Sequence, residues 1–441
     1  MIKFDFTNIT SASLSTAGLS PEDFNAVDVS MLNKFFNQGT EAGLGFFELP
    51  DQDISDIEAV SKKAAEFSNF ILLGIGGSAL GPRSILEALS PFHNYFKKPG
   101  FFIYDNVDPL TLQKILNAAD LKDSIVNVIT KSGSTAETLA SFMIIWRKLK
   151  ELGLKPQDHL VITTDPEKGS LREIAKEHNI MSLEVPPLVG GRFSVLSPVG
   201  LLLAGTAGFD IKALLRGAEQ MHTVCMQGDL YKNPAYLFAA ALFLMKQKFN
   251  RSTTVLVPYA DRLKSLSEWF CQLWGESLGK KGTGLSPYPS TGTTDQHSQL
   301  QLWMEGPNDK VVVFIAVDDY GTDMKIPDDF AGKDNLGYLA GHSLSELIKT
   351  EQEATEIALT KNGRPSITIH MPKVDELHMG QLMHFFESAT AAAGSLFGIN
   401  PFDQPGVEEG KNLTYGIMGR KGFEERAAEF SAYRKRSRLI I

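Results

Sequence analysis

Cysteine is nearly absent from this chain of 441 residues, which carries only Cys225 and Cys271. The two form no Cys-x-x-Cys pair, so zinc-ribbon and dithiol redox chemistry have no ligands to work with. Such sparse use of cysteine suits a reducing cytoplasm. Long apolar runs are missing too. The most apolar stretch goes from Ala235 to Met245 and stops at Lys246, whereas a membrane-spanning helix needs roughly 20 residues. The opening Met1–Phe6 lacks the basic start and apolar run of a signal peptide. Positive charge is in deficit, with 43 basic against 52 acidic residues and a net charge of −9. That balance disfavours nucleic acid and anionic membranes as partners. A phosphate-binding site would have to be a local positive pocket on an acidic body. The 9 histidines include no His-x-x-x-His pair, and His378 and His384 stand six apart, so no metal site is expected.

What is present is ordinary for a globular protein: 43% hydrophobic and 22% charged residues. The length suggests two or three domains and needs no staples to support a core. Short apolar runs at Phe70–Ile75, Phe101–Tyr104, Ile125–Thr130, His159–Thr164 and Met181–Val185 alternate with helical patterns such as Thr135–Leu149. Strands separated by helices predict a parallel sheet covered on both faces. The Leu/Ala/Met-rich stretch from Leu196 to Phe249 reads as buried helix, notably Val199–Ala207 and Tyr236–Phe249. A second strand set follows at Thr254–Pro258, Val311–Val317 and Ser366–His370. The expected division is a larger domain over 1–208, a second over 209–422, and a solvated helical tail over 423–441 rich in Arg426, Arg434, Lys435, Arg436 and Arg438.

Six segments carry polar chemistry. Ile71–Pro82 feeds a strand into the turn Gly74-Ile-Gly-Gly-Ser78 and a helix opening near Ser84. Glycines let a backbone approach a ligand and helix starts favour anions, yet a tight turn alone explains the same residues. The third glycine of a dinucleotide loop is not in place. Thr130-Lys-Ser-Gly-Ser-Thr-Ala-Glu-Thr138 packs hydroxyls around Lys131. Ser134 and Glu137 have capping-box spacing, so the segment reads either as a capped helix or as a phosphate cradle. One cap needs one hydroxyl, and the surplus with Lys131 favours the cradle. In Gly190-Gly191-Arg192 the guanidinium follows two glycines. It is either an ordinary ion-pair residue or a fixed cation for an oxyanion.

The residues Leu266, Trp269, Phe270, Leu273 and Trp274 make an apolar helical stripe. Gln272 and Glu276 share one side at its edge, where a partly desolvated carboxylate suits a general base, although a plain boundary glutamate fits equally. Thr291–His297 is a polar loop, and Pro401–Lys411 is a turn that opens a helix carrying Lys411.

Taken together and in this order, the motifs resemble the phosphoglucose isomerase family in its shorter bacterial type, from about Gly43 to Gly419. Gly190-Gly-Arg-Phe-Ser-Val-Leu-Ser-Pro-Val-Gly and Phe402-Asp-Gln-Pro-Gly-Val-Glu-Glu-Gly-Lys are the most specific stretches. One departure is Pro187, where the family usually has a polar residue. The resemblance implies an α/β protein of two sugar-isomerase-type doubly wound domains, with mainly parallel sheets and flanking helices. It implies reversible interconversion of glucose 6-phosphate and fructose 6-phosphate through a cis-enediol(ate), without cofactor or metal.

By position in the motifs, Glu276 would be the base and Arg192 would stabilise the enediolate. His297 and Lys411 would serve ring opening. Thr130, Lys131, Ser132, Thr135 and Thr138 would hold the phosphate. Gly77, Ser78, Gly191, Gln272 and Gln404 would line the sugar. A homodimer is implied, with His297 completing the neighbouring subunit's site. A non-catalytic sugar-phosphate module would need only the Gly77 and Thr130 loops. A nicotinamide oxidoreductase is suggested by Gly74–Gly77 alone.

Overall fold

The computed structural model describes residues 1–436 and residue 439, so Arg438 of the tail lies outside the described residues. A short strand, β1 (Lys3–Asp5), comes first in the chain but belongs to the second of two five-stranded sheets. The first sheet is built from β2 (Asn69–Leu73), β3 (Gly100–Tyr104), β4 (Ser124–Thr130), β5 (Leu160–Thr164) and β6 (Met181–Glu184). Its spatial order is β3-β2-β4-β5-β6 and every pairing is parallel. All residues of β4 are buried, as a central strand covered on both faces requires.

The second sheet contains β7 (Thr253–Pro258), β8 (Ser286–Pro289), β9 (Lys310–Asp319) and β10 (Ser366–Lys373) in the order β1-β10-β9-β7-β8. It is parallel except for β1, which runs antiparallel to β10 with Lys3 opposite His370.

The two faces of each sheet take alternate residues. In the first sheet Phe70, Leu72, Ile125, Ile129 and Val161 join the large central core, while Ile71, Leu73, Val126, Val128 and Ile162 pack under helices on the far side. In the second sheet Leu256, Val311, Val313 and Ile315 face the central core, and Val255, Val257, Val312 and Phe314 face outward onto a smaller cluster. Between the sheets lie helices that are buried nearly all round. Pro198–Thr206 is buried everywhere except Gly205, and Glu376–Leu396 is buried from His378 to Gly394. Such helices hold no solvent face. Each fully buried large side chain contributes about 1.5–3 kcal/mol, and Trp269, Trp274, Phe70, Phe193 and Phe385 are among the largest of them.

The expected helix near Ser84 in fact opens at Leu80 and runs to Leu89. Gly81-Pro82 looks like a breaker, but proline fits a first helical turn, whose amide would have no partner anyway. His159 closes a short turn, Pro156–His159, rather than starting β5, and its Nδ1 pairs with the Ser124 carbonyl at 2.9 Å. The tail helix Glu424–Arg434 has no buried residue. Among the described residues no helix is long and apolar enough to cross a membrane.

In doubly wound sheets a crevice opens at the carboxyl ends of strands where the chain order reverses. In the first sheet that point lies between β2 and β4, because β3 flanks one side and β5 the other. The Gly74–Ser78 and Lys131–Thr135 loops leave those two strand ends.

Candidate active site

A cavity of about 440 Å³ sits over this reversal point, within the size range of small-molecule sites. Gly77, Ser78, Thr130, Lys131, Ser132, Thr135, Gly191, Arg192, Gln272, Glu276, Gln404 and Lys411 all line it, drawn from segments spread over most of the chain. Two residues named with them do not. Thr138 lies buried in the first turn of the Ala136–Glu151 helix, its hydroxyl without a partner among the described residues. His297 lies exposed in the turn Thr294–His297 that follows β8. Asp165 and Lys168, from the loop after β5, line the cavity without having been anticipated. The signal available for them was a strand end beside β4 followed by the turn sequence Asp165-Pro-Glu-Lys-Gly169.

One end of the cavity is an array of hydroxyls. Thr130 Oγ1 lies 2.7 Å from Thr135 Oγ1 and 3.3 Å from Ser132 Oγ, and Ser134 Oγ donates to Ser132 Oγ at 3.2 Å. The capping box expected of Ser134 and Glu137 does not form. The N-cap is Thr135, and no side chain caps the helix. Ser134 is drawn into the hydroxyl cluster instead, one residue too early to cap. The first amides of a 16-residue helix are thus open toward the cluster, which is the arrangement that binds oxyanions. Lys131 Nζ donates to the Pro187 carbonyl at 2.7 Å. That acceptor is backbone, so the departure at Pro187 costs nothing. Burial pushes the Lys131 ammonium below its ordinary range, and Asp165 opposes the shift.

Another wall belongs to the Lys264–Leu278 helix. Its stripe of Leu266, Trp269, Phe270, Leu273 and Trp274 is in the core, which turns Gln272 and Glu276 to the cavity. The two are one helical turn apart, and Gln272 Nε2 donates to Glu276 Oε2 at 3.1 Å. Among the described residues Gln272 Oε1 has no partner. Gly76, with φ of +58°, lies so close that a Cβ there would come within 2.8 Å of Gln272 Nε2. A Cβ on Gly77 would meet the Gly191 carbonyl oxygen at 2.1 Å. Only glycine lets the two loops touch.

Arg192 is 4% exposed and has four of its five N–H donors committed. Nε donates to Ser277 Oγ at 2.6 Å, Nη1 to Gln404 Oε1 at 3.0 Å, and Nη2 to the carbonyls of Asp403 at 2.9 Å and Pro401. One Nη1 proton remains, on the atom that stands 3.8 Å from Glu276 Oε1. Burial lowers the guanidinium from its ordinary value, with Glu276 and Asp403 opposing. A guanidinium stays charged even so. The site therefore sets one carboxylate and one anchored cation a few ångströms apart, on the same cavity as the hydroxyl cluster. Lys411 reaches the cavity from the Glu408–Ile417 helix while paired to Glu408 at 3.0 Å.

Comparison with known proteins gives a consistent result. A family model described as phosphoglucose isomerase matches residues 52–435. A glucose-6-phosphate isomerase of Carboxydothermus hydrogenoformans is 41% identical over 100% of this chain and 99% of its own length. One from Rubrobacter xylanophilus is 47% identical over 86% of this chain and 90% of its own. Among solved structures, a hypothetical protein of Thermus thermophilus superposes with a TM-score of 0.84 at 34% identity, covering 95% of this chain and 100% of that one. A glucose-6-phosphate isomerase of Chlamydia trachomatis superposes with a TM-score of 0.74 at 25% identity, covering 89% and 76%.

Proposed function

The chain belongs to the phosphoglucose isomerase family, and from that premise we infer that it interconverts glucose 6-phosphate and fructose 6-phosphate, an aldose–ketose isomerisation. The observation that carries the reading is the placing of Glu276 and Arg192 on one cavity whose other end is the hydroxyl cradle. With the sugar chain open, the Glu276 carboxylate takes the proton from carbon 2. Negative charge then builds on the carbonyl oxygen at carbon 1, and the free Nη1 proton of Arg192 is available to it. The same carboxylic acid returns its proton to carbon 1 as the ketose forms, while the proton of the carbon 2 hydroxyl ends on the carbon 1 oxygen.

General-base catalysis supplies about 10²–10⁴-fold, short of the roughly 10⁶-fold or more expected of an enzyme. Oxyanion stabilisation by Arg192 and anchoring of the phosphate supply the rest. Thr130, Lys131, Ser132 and Thr135 hold the phosphate over the open helix start, with Thr138 beneath. Gly77, Ser78, Gly191, Gln272 and Gln404 border the sugar. Gln272 Oε1, left without a partner, can accept from a sugar hydroxyl. Lys411 and His297 serve ring opening.

His297 is outside the cavity of its own chain, which supports a homodimer in which each subunit lends this histidine to the other. The division into 1–208, 209–422 and 423–441 is retained as a proposal, with β1 crossing from the first segment to complete the second sheet. The two unpaired cysteines support a cytoplasmic location, the compartment in which thiols stay reduced. The test is a coupled isomerase assay on the purified chain, with glucose 6-phosphate and mannose 6-phosphate offered in turn and the products identified. Saturable binding of either sugar without turnover would replace this reading with that of a binding module.

A further inference from the structure

Lys280 lies just beyond the helix that carries Glu276, and its side chain is only 9% exposed. An ammonium has three donors. Here they meet the Ser277 carbonyl at 2.9 Å, the Asn400 carbonyl at 2.6 Å and the Asp403 carboxylate at 3.1 Å. None is left over for a ligand, so this half-buried cation acts on the protein itself. The first acceptor is at the end of the Glu276 helix, where a cation is favoured. The other two belong to the Asn400–Gln404 turn. That turn also supplies three of the four acceptors of Arg192, through Pro401, Asp403 and Gln404. The fourth is the Ser277 hydroxyl, on the residue whose carbonyl Lys280 grips. The buried Arg192 and the half-buried Lys280 are thus wrapped by one short turn and joined at one serine.

We propose that Lys280 is a positioning residue of the isomerisation: it fastens the Asn400–Gln404 turn to the end of the Glu276 helix and so fixes the Arg192 guanidinium relative to the Glu276 carboxylate. This rests on the function proposed above. The oxyanion cradle at Thr130–Thr135 belongs to the first sheet and shares no hydrogen bond with the turn. Loosening the turn should therefore slow chemistry and spare phosphate binding. Misplacement of about 1 Å can cost about 10²-fold in rate.

The experiment compares wild type, Lys280→Met, Lys280→Arg and Asp403→Asn by steady-state kinetics with fructose 6-phosphate and by calorimetry with inorganic phosphate. Lys280→Met should lower kcat about 10- to 100-fold, while KM and the phosphate Kd stay within about threefold. Lys280→Arg should recover most of the loss. If Lys280→Met does not fold, Asp403→Asn decides, because it keeps the carbonyl used by Arg192 and removes the carboxylate charge that Lys280 pairs with. Its kcat should fall at least about fivefold with KM preserved. The proposal is overturned if the deciding variant keeps kcat within about twofold, if kcat and phosphate affinity fall together, or if Lys280→Arg is no better than Lys280→Met. A wild type without turnover would instead overturn the isomerase reading.

Discussion

Replacing Arg192 by lysine tests the anchored cation while keeping a positive charge. The guanidinium has four donors engaged by Ser277, Gln404, Pro401 and Asp403, and aims its fifth toward the cavity. A lysine has three donors on a flexible stem. Even when fully engaged it leaves at least one acceptor unmet, and each such buried group costs about 1–3 kcal/mol of stability. It also has no donor to spare for an oxyanion. Loss of one preorganised oxyanion donor costs about 2.7–4 kcal/mol, or about 10²–10³ in kcat.

The expected outcome of Arg192→Lys is therefore a kcat lower by about 10²–10³, with KM for fructose 6-phosphate within about threefold, because the cradle at Thr130 is untouched. Coupled kinetics and thermal unfolding, run on the same preparations, read both effects. A kcat within about tenfold of wild type in a variant that still melts as wild type would refute the reasoning, since charge alone would then suffice.

Lys131→Ala removes a charge-assisted donor worth about 1.5–3 kcal/mol, so KM and the inhibition constant of inorganic phosphate should both rise about 10- to 100-fold with kcat nearly unchanged; a loss confined to kcat would exchange its role with that of Arg192. Glu276→Gln should lose about 10²–10⁴ of turnover, and His297→Ala should also be slow. Dissociating and reassociating an equal mixture of the two should restore about a quarter of wild-type activity, because half the random dimers are mixed and one of their two sites is intact; no recovery would place His297 in its own chain's chemistry or in none.

Among the described residues neither carboxylate oxygen of the buried Glu387 has a partner, and burial holds its carboxyl well above the ordinary 4.5. The unfolded chain ionises above that value, so the group's contribution to stability is whole below it and shrinks as pH rises, by about 1.4 kcal/mol per unit until the folded group ionises too. Urea titrations from about pH 5 to pH 8 should show Glu387→Gln, which cannot ionise, gaining on wild type as pH rises; a constant difference would disprove the assignment.

Most strands were legible because fully buried apolar runs are local properties; the mostly exposed β8, with its two prolines, was not. Phe70–Ile75 and Ile125–Thr130 each lie within a residue or two of β2 and β4. The site was legible in so far as its residues come in clusters: Thr130–Thr135, Gly191-Arg192, Gln272 with Glu276, and Gln404 with Lys411 all reach one cavity. What the chain did not disclose depends on distant partners. The open helix start beside Thr135 follows from Ser134 bonding backward to Ser132, which no spacing rule reveals. Lys168 reaches the cavity only because β5 lies beside β4. The acceptors of Lys280 come from Ser277 on one side and from Asn400 and Asp403 on the other, far apart in the chain. β1 is three residues long and carries no pattern of its own; its place is set by β10.

That pairing of Lys3 with His370 also orders events on the ribosome. Every strand of the first sheet falls within Asn69–Glu184, so that sheet can assemble while much of the polypeptide is still unmade. The segment at Lys3–Asp5 must meanwhile wait for β10 to emerge. At about 5–20 residues per second the delay is on the order of twenty to seventy seconds, during which its hydrogen-bonding groups are open to any chaperone or stray strand that meets them.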